Sequence, residues 1–211
     1  MELVSDNIVP LDGQSKSSSI DCGLNTIDDN NWKIIEEVVN DPNLKWDDDS
    51  LINEGEYDGV KRKSKLVFLP YNERLDKLFG RMISDYNKNY SGWDYDVDCL
   101  EAIQLTHYFE GDYYSWHQDQ FNFPIVRNGR KYNRKISVTV FLNDPEEYEG
   151  GEFDLEVRGP NCEEGEERYD TFKLPKKSII VFPSDKWHRV RPVTSGVRKS
   201  LVMWFQGPPF R

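Results

Sequence analysis

Residues 134–143 read RKISVTVFLN. Side chains on an extended strand alternate between its two faces. This run therefore sets Thr139 and Phe141 on one side and Val138, Val140 and Leu142 on the other. The same period-two texture recurs in EAIQLTHYF (101–109), GEFDLEV (151–157) and VRKSLVMWF (197–205), with SIIVFP (178–183) and KWHRVRPV (186–193) between them. Gly, Pro and Asn punctuate the runs, and Asn128-Gly129 inside IVRNGRKY signals a two-residue hairpin. At least six short strands with no long helix between them predict an antiparallel sandwich or barrel.

Upstream the texture changes. Residues 1–25 are polar and rich in Ser and Asp, and predict an extended or loosely packed lead-in. TIDDNNWKIIEEVVNDP (26–42) predicts a short helix, opened by Asp and Asn and stopped before Pro42. Residues 43–63 read as loop with one strand. NERLDKLFGRMISDYNKNY (72–90) is the strongest helix. Its Leu75, Leu78, Phe79, Met82, Ile83 and Tyr86 form one apolar stripe, which is packing surface and carries no chemistry.

A chain of 211 residues has room for one sizeable domain. Its formal charge of -11 argues against generic binding to nucleic acid, because phosphate contacts need a basic surface. Three cysteines, Cys22, Cys99 and Cys162, stand far apart and suit a reducing compartment. No signal-peptide pattern and no long apolar run is present, so the expectation is a cytoplasmic protein without a membrane partner. No internal repeat is visible, and nothing in the pattern bears on oligomeric state.

The chemistry centres on YYSWHQDQ (113–120). If this stretch is extended, His117 and Asp119 point the same way. A third ligand must come from elsewhere, and His188 lies on a later predicted strand. Two His and one carboxylate leave three positions of an iron open, the facial arrangement of non-heme Fe(II) oxygenases. The third histidine of the chain, His107, shares its strand face with Ile103, Leu105 and Phe109 and reads as a packed residue. Arg198 shares a face with Ser200, Val202 and Trp204, and a guanidinium lining a pocket requires an anion. Alone, His-x-Asp and Arg198 are each better explained as ordinary polar residues.

Together they resemble a family. The pattern Y108-x-x-G111-x-x-Y114-x-x-H117-x-D119, then RKISVTVFLND, GGEF (150–153), FPSDKWHRVRPVTSG and R198 with Trp204 is similar to the iron(II)/2-oxoglutarate-dependent dioxygenases of the prolyl 4-hydroxylase type, including bacterial and phage hydroxylases of the PKHD kind. The resemblance spans roughly residues 98–207. It implies an α+β, mainly β fold: one domain over 1–211, with a double-stranded β-helix (jelly-roll) core over 98–211 and helical support over 1–97. It also implies His117, Asp119 and His188 as iron ligands, Arg198 on the distal carboxylate of 2-oxoglutarate, and Tyr108 donating to that co-substrate. Thr139 and Trp204 join them as co-substrate contacts, and Tyr114 and Trp204 form pocket walls. Phe141 stands near where some relatives have a co-substrate-binding tyrosine, which leaves Tyr108 a larger share. Aspartate at 119 favours hydroxylation over halogenation. The implied cofactors are Fe(II), 2-oxoglutarate and O2, with ascorbate as a candidate stimulant and succinate and CO2 as co-products.

The resemblance points to a protein or peptide substrate, with a prolyl residue foremost. The alternatives are a small molecule or nucleotide as substrate, or a non-catalytic β-sandwich binding module. The hairpin at 120–135 carries Arg127, Arg130, Lys131, Arg134 and Lys135; it reads either as a lid over an acidic or peptide substrate or as a solvated hairpin. CEEGEER (162–168) reads as an exposed loop.

Overall fold

The computed structural model describes residues 20–46, 61–158 and 167–210. The described residues are mainly β, with two α-helices among them. In order, the elements are β1 (Asp21–Gly23), α1 (Asp29–Val39), β2 (Arg62–Lys63), β3 (Lys65–Phe68), α2 (Glu73–Asp85), β4 (Cys99–Leu100), β5 (Gln104–Tyr108) and β6 (Tyr113–His117). They continue with β7 (Ile125–Arg127), β8 (Arg130–Phe141), β9 (Tyr148–Gly150), β10 (Phe153–Glu156), β11 (Tyr169–Phe172), β12 (Ile179–Pro183), β13 (His188–Val190), β14 (Val193–Gly196) and β15 (Arg198–Gly207).

Both helices start where the sequence places a cap. The Asp28 carboxylate accepts from the backbone N–H groups of Asn30 and Asn31, and Asn72 Oδ1 accepts from those of Arg74 and Leu75. These bonds satisfy donors that a helix N-terminus leaves open. After α2 the chain widens into one π-helical turn, Tyr86–Tyr90, before leaving the helix.

The strands form two principal antiparallel sheets. The larger has eight strands, ordered β1-β12-β8-β15-β5-β3, with β4 on β15 and β7 on β8. The smaller runs β11-β10-β13-β6-β2, and β9 pairs with β14. The expected hairpin is present: Asn128 and Gly129 have φ of 51° and 73°, and Arg127 pairs with Arg130. Positive φ at both central residues matches the twist of a two-residue turn to its strands.

Each face of the large sheet is covered. One face shares a core with the helices, through Trp32, Ile35, Leu75, Phe79 and Ile83 against Leu105, Val138, Val140, Leu201 and Met203. The other meets the small sheet through Phe141, Ile180 and Phe182 against Phe153, Leu155 and Val190. The expected alternation is therefore real but has an unexpected cause. Ser137, Thr139, Thr106 and Ser200 are all buried, at 0%, 4%, 0% and 1% exposure. Thr139 and Ser200 wall a cavity, and Ser137 and Thr106 hydrogen-bond to residues that line it, so this side of the sheet is polar without meeting solvent.

Three expectations change. Residues 21–23 of the supposed loose lead-in pair with β12 as an edge strand. The WHQDQ stretch is not one extended run: β6 ends at His117, and Asp119 sits in the bend that follows. Of the five hairpin cations, Lys135 is buried and only Arg134 lines the cavity. Residues 1–19 of the lead-in, most of the stretch at 43–63, Cys162 and most of the acidic run at 162–168 lie outside the described residues. Among the described residues no helix is long and apolar enough to cross a membrane.

The helix layer fixes the large sheet from behind, and Phe79, fully buried in that layer, tests it. Phe79→Ala should lower the unfolding free energy by about 3–5 kcal/mol, the usual cost of a buried aromatic truncation. Urea denaturation of the two proteins measures this.

Candidate active site

A cavity of about 210 Å³ opens between the sheets, walled by residues of both. His117, Asp119 and His188 meet on it, all buried, with one potential ligand atom from each lying within 4.8 Å of the others. It is the one such cluster among the described residues. His188 and His117 face each other across the β13–β6 ladder. Asp119 Oδ2 lies 3.4 Å from His188 Nε2, and Oδ1 lies 3.8 Å from His117 Nε2.

The backbone sets which imidazole nitrogen is free. His117 Nδ1 lies 2.8 Å from the Ser115 carbonyl and His188 Nδ1 lies 2.9 Å from that of Lys186. A carbonyl can only accept, so each Nδ1 carries a proton and Nε2 is the nitrogen that faces the cluster. Burial, and next the neighbouring His188, hold the His117 pKa down to about 3, which keeps that ring neutral. Burial alone would raise Asp119, but His188 and His117 outweigh it and hold the carboxyl below its ordinary range. A neutral imidazole and an ionised carboxylate are the states that bind a divalent cation.

Asp119 is aimed by two serines that the sequence reading missed. Ser137 Oγ donates to Asp119 Oδ2 at 2.7 Å and lies 2.9 Å from Ser184 Oγ. The Ser184 carbonyl accepts from the backbone N–H of both Asp119 and Gln120. Strand alternation held the signal for Ser137, since it shares the face of Thr139 and Phe141.

A local irregularity orients His117. Between β6 and β13, Tyr114 pairs with Val190 and His117 with His188, so three steps on one strand match two on the other. Such a bulge lets residues of opposite parity face the same way. Tyr114 and His117 stack on the cavity side with ring centroids 3.6 Å apart. Trp116 turns outward against Tyr169.

Arg198 is 1% exposed. Its Nη1 donates to Ser200 Oγ at 3.1 Å, but Nε and Nη2 are buried without an acceptor among the described residues. Burial lowers its pKa from the ordinary value, while Tyr108 and Tyr148 work the other way. Tyr108 lies opposite Arg198 across β5 and β15, and its own pKa is raised by burial. Gly151 makes room for this side chain: its φ is +65°, and an added Cβ would come within 3.1 Å of Arg198 Cδ. A buried guanidinium with open donors is an anion site, and its fork matches a carboxylate.

The remaining predicted residues fall as follows. Thr139, Trp204 and Tyr114 line the same cavity, as does Gln104, whose Nε2 donates to Thr106 Oγ1 at 2.7 Å. Phe141 packs in the inter-sheet core with the Arg198 guanidinium 5.5 Å from its ring. His107 stays apart, packed at 4.3 Å on Trp46. Sequence reasoning did not place Arg62, Phe68, Phe153 and Val190, which also line the cavity.

Comparison with known proteins agrees with this geometry. The family model described as "2OG-Fe(II) oxygenase superfamily" matches residues 103–206. A PKHD-type hydroxylase of Synechococcus sp. (strain CC9605) is 34% identical over 110 residues, 52% of this chain and 44% of that protein. One from Hyphomonas neptunium is 38% identical over 98 residues, 46% of this chain and 39% of its own length. The chain thus spans less than half the length of these curated relatives. A viral collagen prolyl hydroxylase from Paramecium Bursaria Chlorella virus-1, solved as a 2-oxoglutarate complex, shares the fold with a TM-score of 0.51. It is 24% identical, with 69% of this chain and 80% of that one covered.

Two outcomes follow. Ser137→Ala, which unties Asp119, should weaken Mn(II) binding by about tenfold or more, the usual scale for partners of metal ligands; calorimetric titration reads it. His107, whose pKa burial lowers from 6.5 to about 4, takes up its proton more readily in the unfolded chain. Its contribution to stability is full above pH 6.5 and is lost as pH falls towards about 4. His107→Phe should flatten that part of the stability–pH profile.

Proposed function

We propose, from the match of residues 103–206 to the 2OG-Fe(II) oxygenase superfamily, that this chain is a dioxygenase that hydroxylates a C–H bond of a protein or peptide residue. The observation that carries the reading is the pairing, in one small cavity, of a His-Asp-His cluster with the open donors of Arg198. The donor set of two imidazole nitrogens and one carboxylate suits Fe(II). Arg198 suits the distal carboxylate of 2-oxoglutarate.

In this reading His117, Asp119 and His188 hold the iron, and Ser137 keeps the carboxylate turned toward it. Arg198 and Ser200 bind the co-substrate carboxylate, Tyr108 and Thr139 line its flank, and Trp204 closes a wall. Phe153, Val190 and Val202 exclude water beside them. Iron with 2-oxoglutarate and O2 supplies the oxidising power that turns C–H into C–OH, with succinate and CO2 as co-products; ascorbate is a candidate stimulant.

The architecture supports this assignment. We read the two facing sheets as a double-stranded β-helix over residues 98–211, with α1 and α2 as its support, within one domain. The cavity also favours a peptide over a free small molecule. About 210 Å³ suits a compact co-substrate and one inserted side chain, and is below the usual span of pockets that enclose a whole ligand.

Anaerobic Fe(II) with 2-oxoglutarate should give a weak visible charge-transfer band, absent in His117→Ala. Arg198→Met should weaken 2-oxoglutarate binding about 100-fold, because it removes charge-assisted donors to a carboxylate. With O2, a panel of proline-containing peptides should yield a product heavier by one oxygen, where free amino acids and nucleotides do not. Wild-type protein that shows neither the band nor succinate formation overturns the oxygenase assignment; turnover of only free molecules overturns the peptide assignment.

A further inference from the structure

Among the described residues, three arginines line the cavity: Arg62, Arg134 and Arg198. Two have their charge accounted for. Arg198 faces the proposed co-substrate. Arg134 donates to both carboxylate oxygens of Glu101, at 2.8 and 3.0 Å, and lies 3.8 Å over the Trp204 ring.

Arg62 differs. Among the described residues no carboxylate pairs with it, and its Nε is buried without an acceptor. An exposed N–H finds water, whereas a buried one without a partner costs desolvation free energy that a bound ligand would recover. Its placement points toward the reacting centre. Arg62 lies directly opposite Tyr114 in the β2–β6 ladder, so both side chains occupy one face. The guanidinium lies 5.3 Å from the Tyr114 ring centroid, and that ring stacks on His117. A column of cation, phenol ring and imidazole thus runs along the cavity wall to a metal ligand.

We propose that Arg62 is the receptor for a carboxylate of the substrate, so that the enzyme selects a substrate with an acidic group close to the C–H bond it hydroxylates. The inference rests on the assignment of the cavity to iron and 2-oxoglutarate. A carboxylate fits better than a phosphate. The Arg134 charge is already neutralised, and Arg62 alone would leave a phosphate dianion half compensated in a buried setting.

The test uses the full chain loaded with Mn(II) and 2-oxoglutarate, and reads binding by calorimetry. One arm compares short amidated peptides bearing Asp or Glu at a fixed position with the same peptides bearing Asn or Gln. A second arm compares N-acetyl amino acids with their amides. In one arm the acid should bind about tenfold tighter than its amide, the scale of a charge-assisted hydrogen bond. Arg62→Gln should erase that preference while 2-oxoglutarate affinity holds. Arg62→Lys, which keeps the charge without the planar fork, should restore part of it. Circular dichroism verifies that each variant is folded, and Arg62→Lys carries the comparison if Arg62→Gln is not.

Absence of an acid-over-amide preference in both arms overturns the proposal, as does a preference that survives in Arg62→Gln. So does a loss of 2-oxoglutarate affinity in Arg62→Gln as large as that in Arg198→Met, which would give Arg62 to the co-substrate. If 2-oxoglutarate does not bind wild type at all, the cofactor assignment falls and this proposal with it. If it binds without carboxylate selectivity, this proposal falls alone.

Discussion

A guanidinium that water does not reach must be answered by something. Arg198 is 1% exposed, and two of its nitrogens have no acceptor among the described residues. Removing such a charge from water costs several kcal/mol, on the order of what a small domain has in total stability. The surrounding structure is arranged around that cost. Gly151 is left without a Cβ beside the arginine stem, Ser200 takes one donor, and the Tyr108 and Phe141 rings flank the cation at 5.5 Å each. None of these neutralises it. The molecule holds an electrostatic deficit that a small anionic ligand would fill, and it holds it in the same cavity as three convergent side chains that could hold a metal ion.

That shared cavity follows from how the large sheet divides its residues. On β8 and β15, Val138, Val140, Leu201 and Met203 meet the helices, and Ser137, Thr139, Arg198, Ser200 and Trp204 point to the small sheet. Farther along the same inner face Phe141, Ile180 and Phe182 close the core. One surface thus turns from apolar seal to polar wall within a few residues. The apolar part excludes water, and the exclusion strengthens each electrostatic interaction in the polar part.

Much of this was legible in the sequence, for identifiable reasons. Strand periodicity in RKISVTVFLN and VRKSLVMWF sorted the faces correctly, because it depends on backbone geometry alone. The apolar stripe of α2 was equally plain, and Leu75, Phe79 and Ile83 are its buried residues. His107 was separable from the other two histidines by its apolar neighbours. The pairing of His117 with Asp119 was reached by a premise the structure does not keep. Two residues in one strand share a face, but Asp119 lies beyond the strand, where its N–H bonds the Ser184 carbonyl and its carboxylate accepts from Ser137. Those partners are 18 and 65 positions away in sequence, and no local pattern announces them. Arg62 was hidden in the same way. In KRKSK it looks like one more solvated cation, and only its register against Tyr114 shows otherwise.

The outer face of the small sheet explains why the histidine strand stays in register. Asp154, at 0% exposure, accepts from Arg189 Nε at 2.6 Å, Arg191 Nε at 2.9 Å and Thr171 Oγ1 at 2.7 Å. One carboxylate thereby ties β10 to β11 and to β13 together with the residue just beyond it, and these bonds hold its pKa down although burial alone would raise it. Its neighbour Leu155 stands opposite His188 in the ladder. A one-residue slip of β13 would turn His188 outward and bring Trp187 or Arg189 into the cavity. Slippage would also strip Asp154 of its donors and leave a buried charge unpaired. The same buried-charge penalty that leaves Arg198 open to an anion on the inner face acts on the outer face to hold the His188 strand in place.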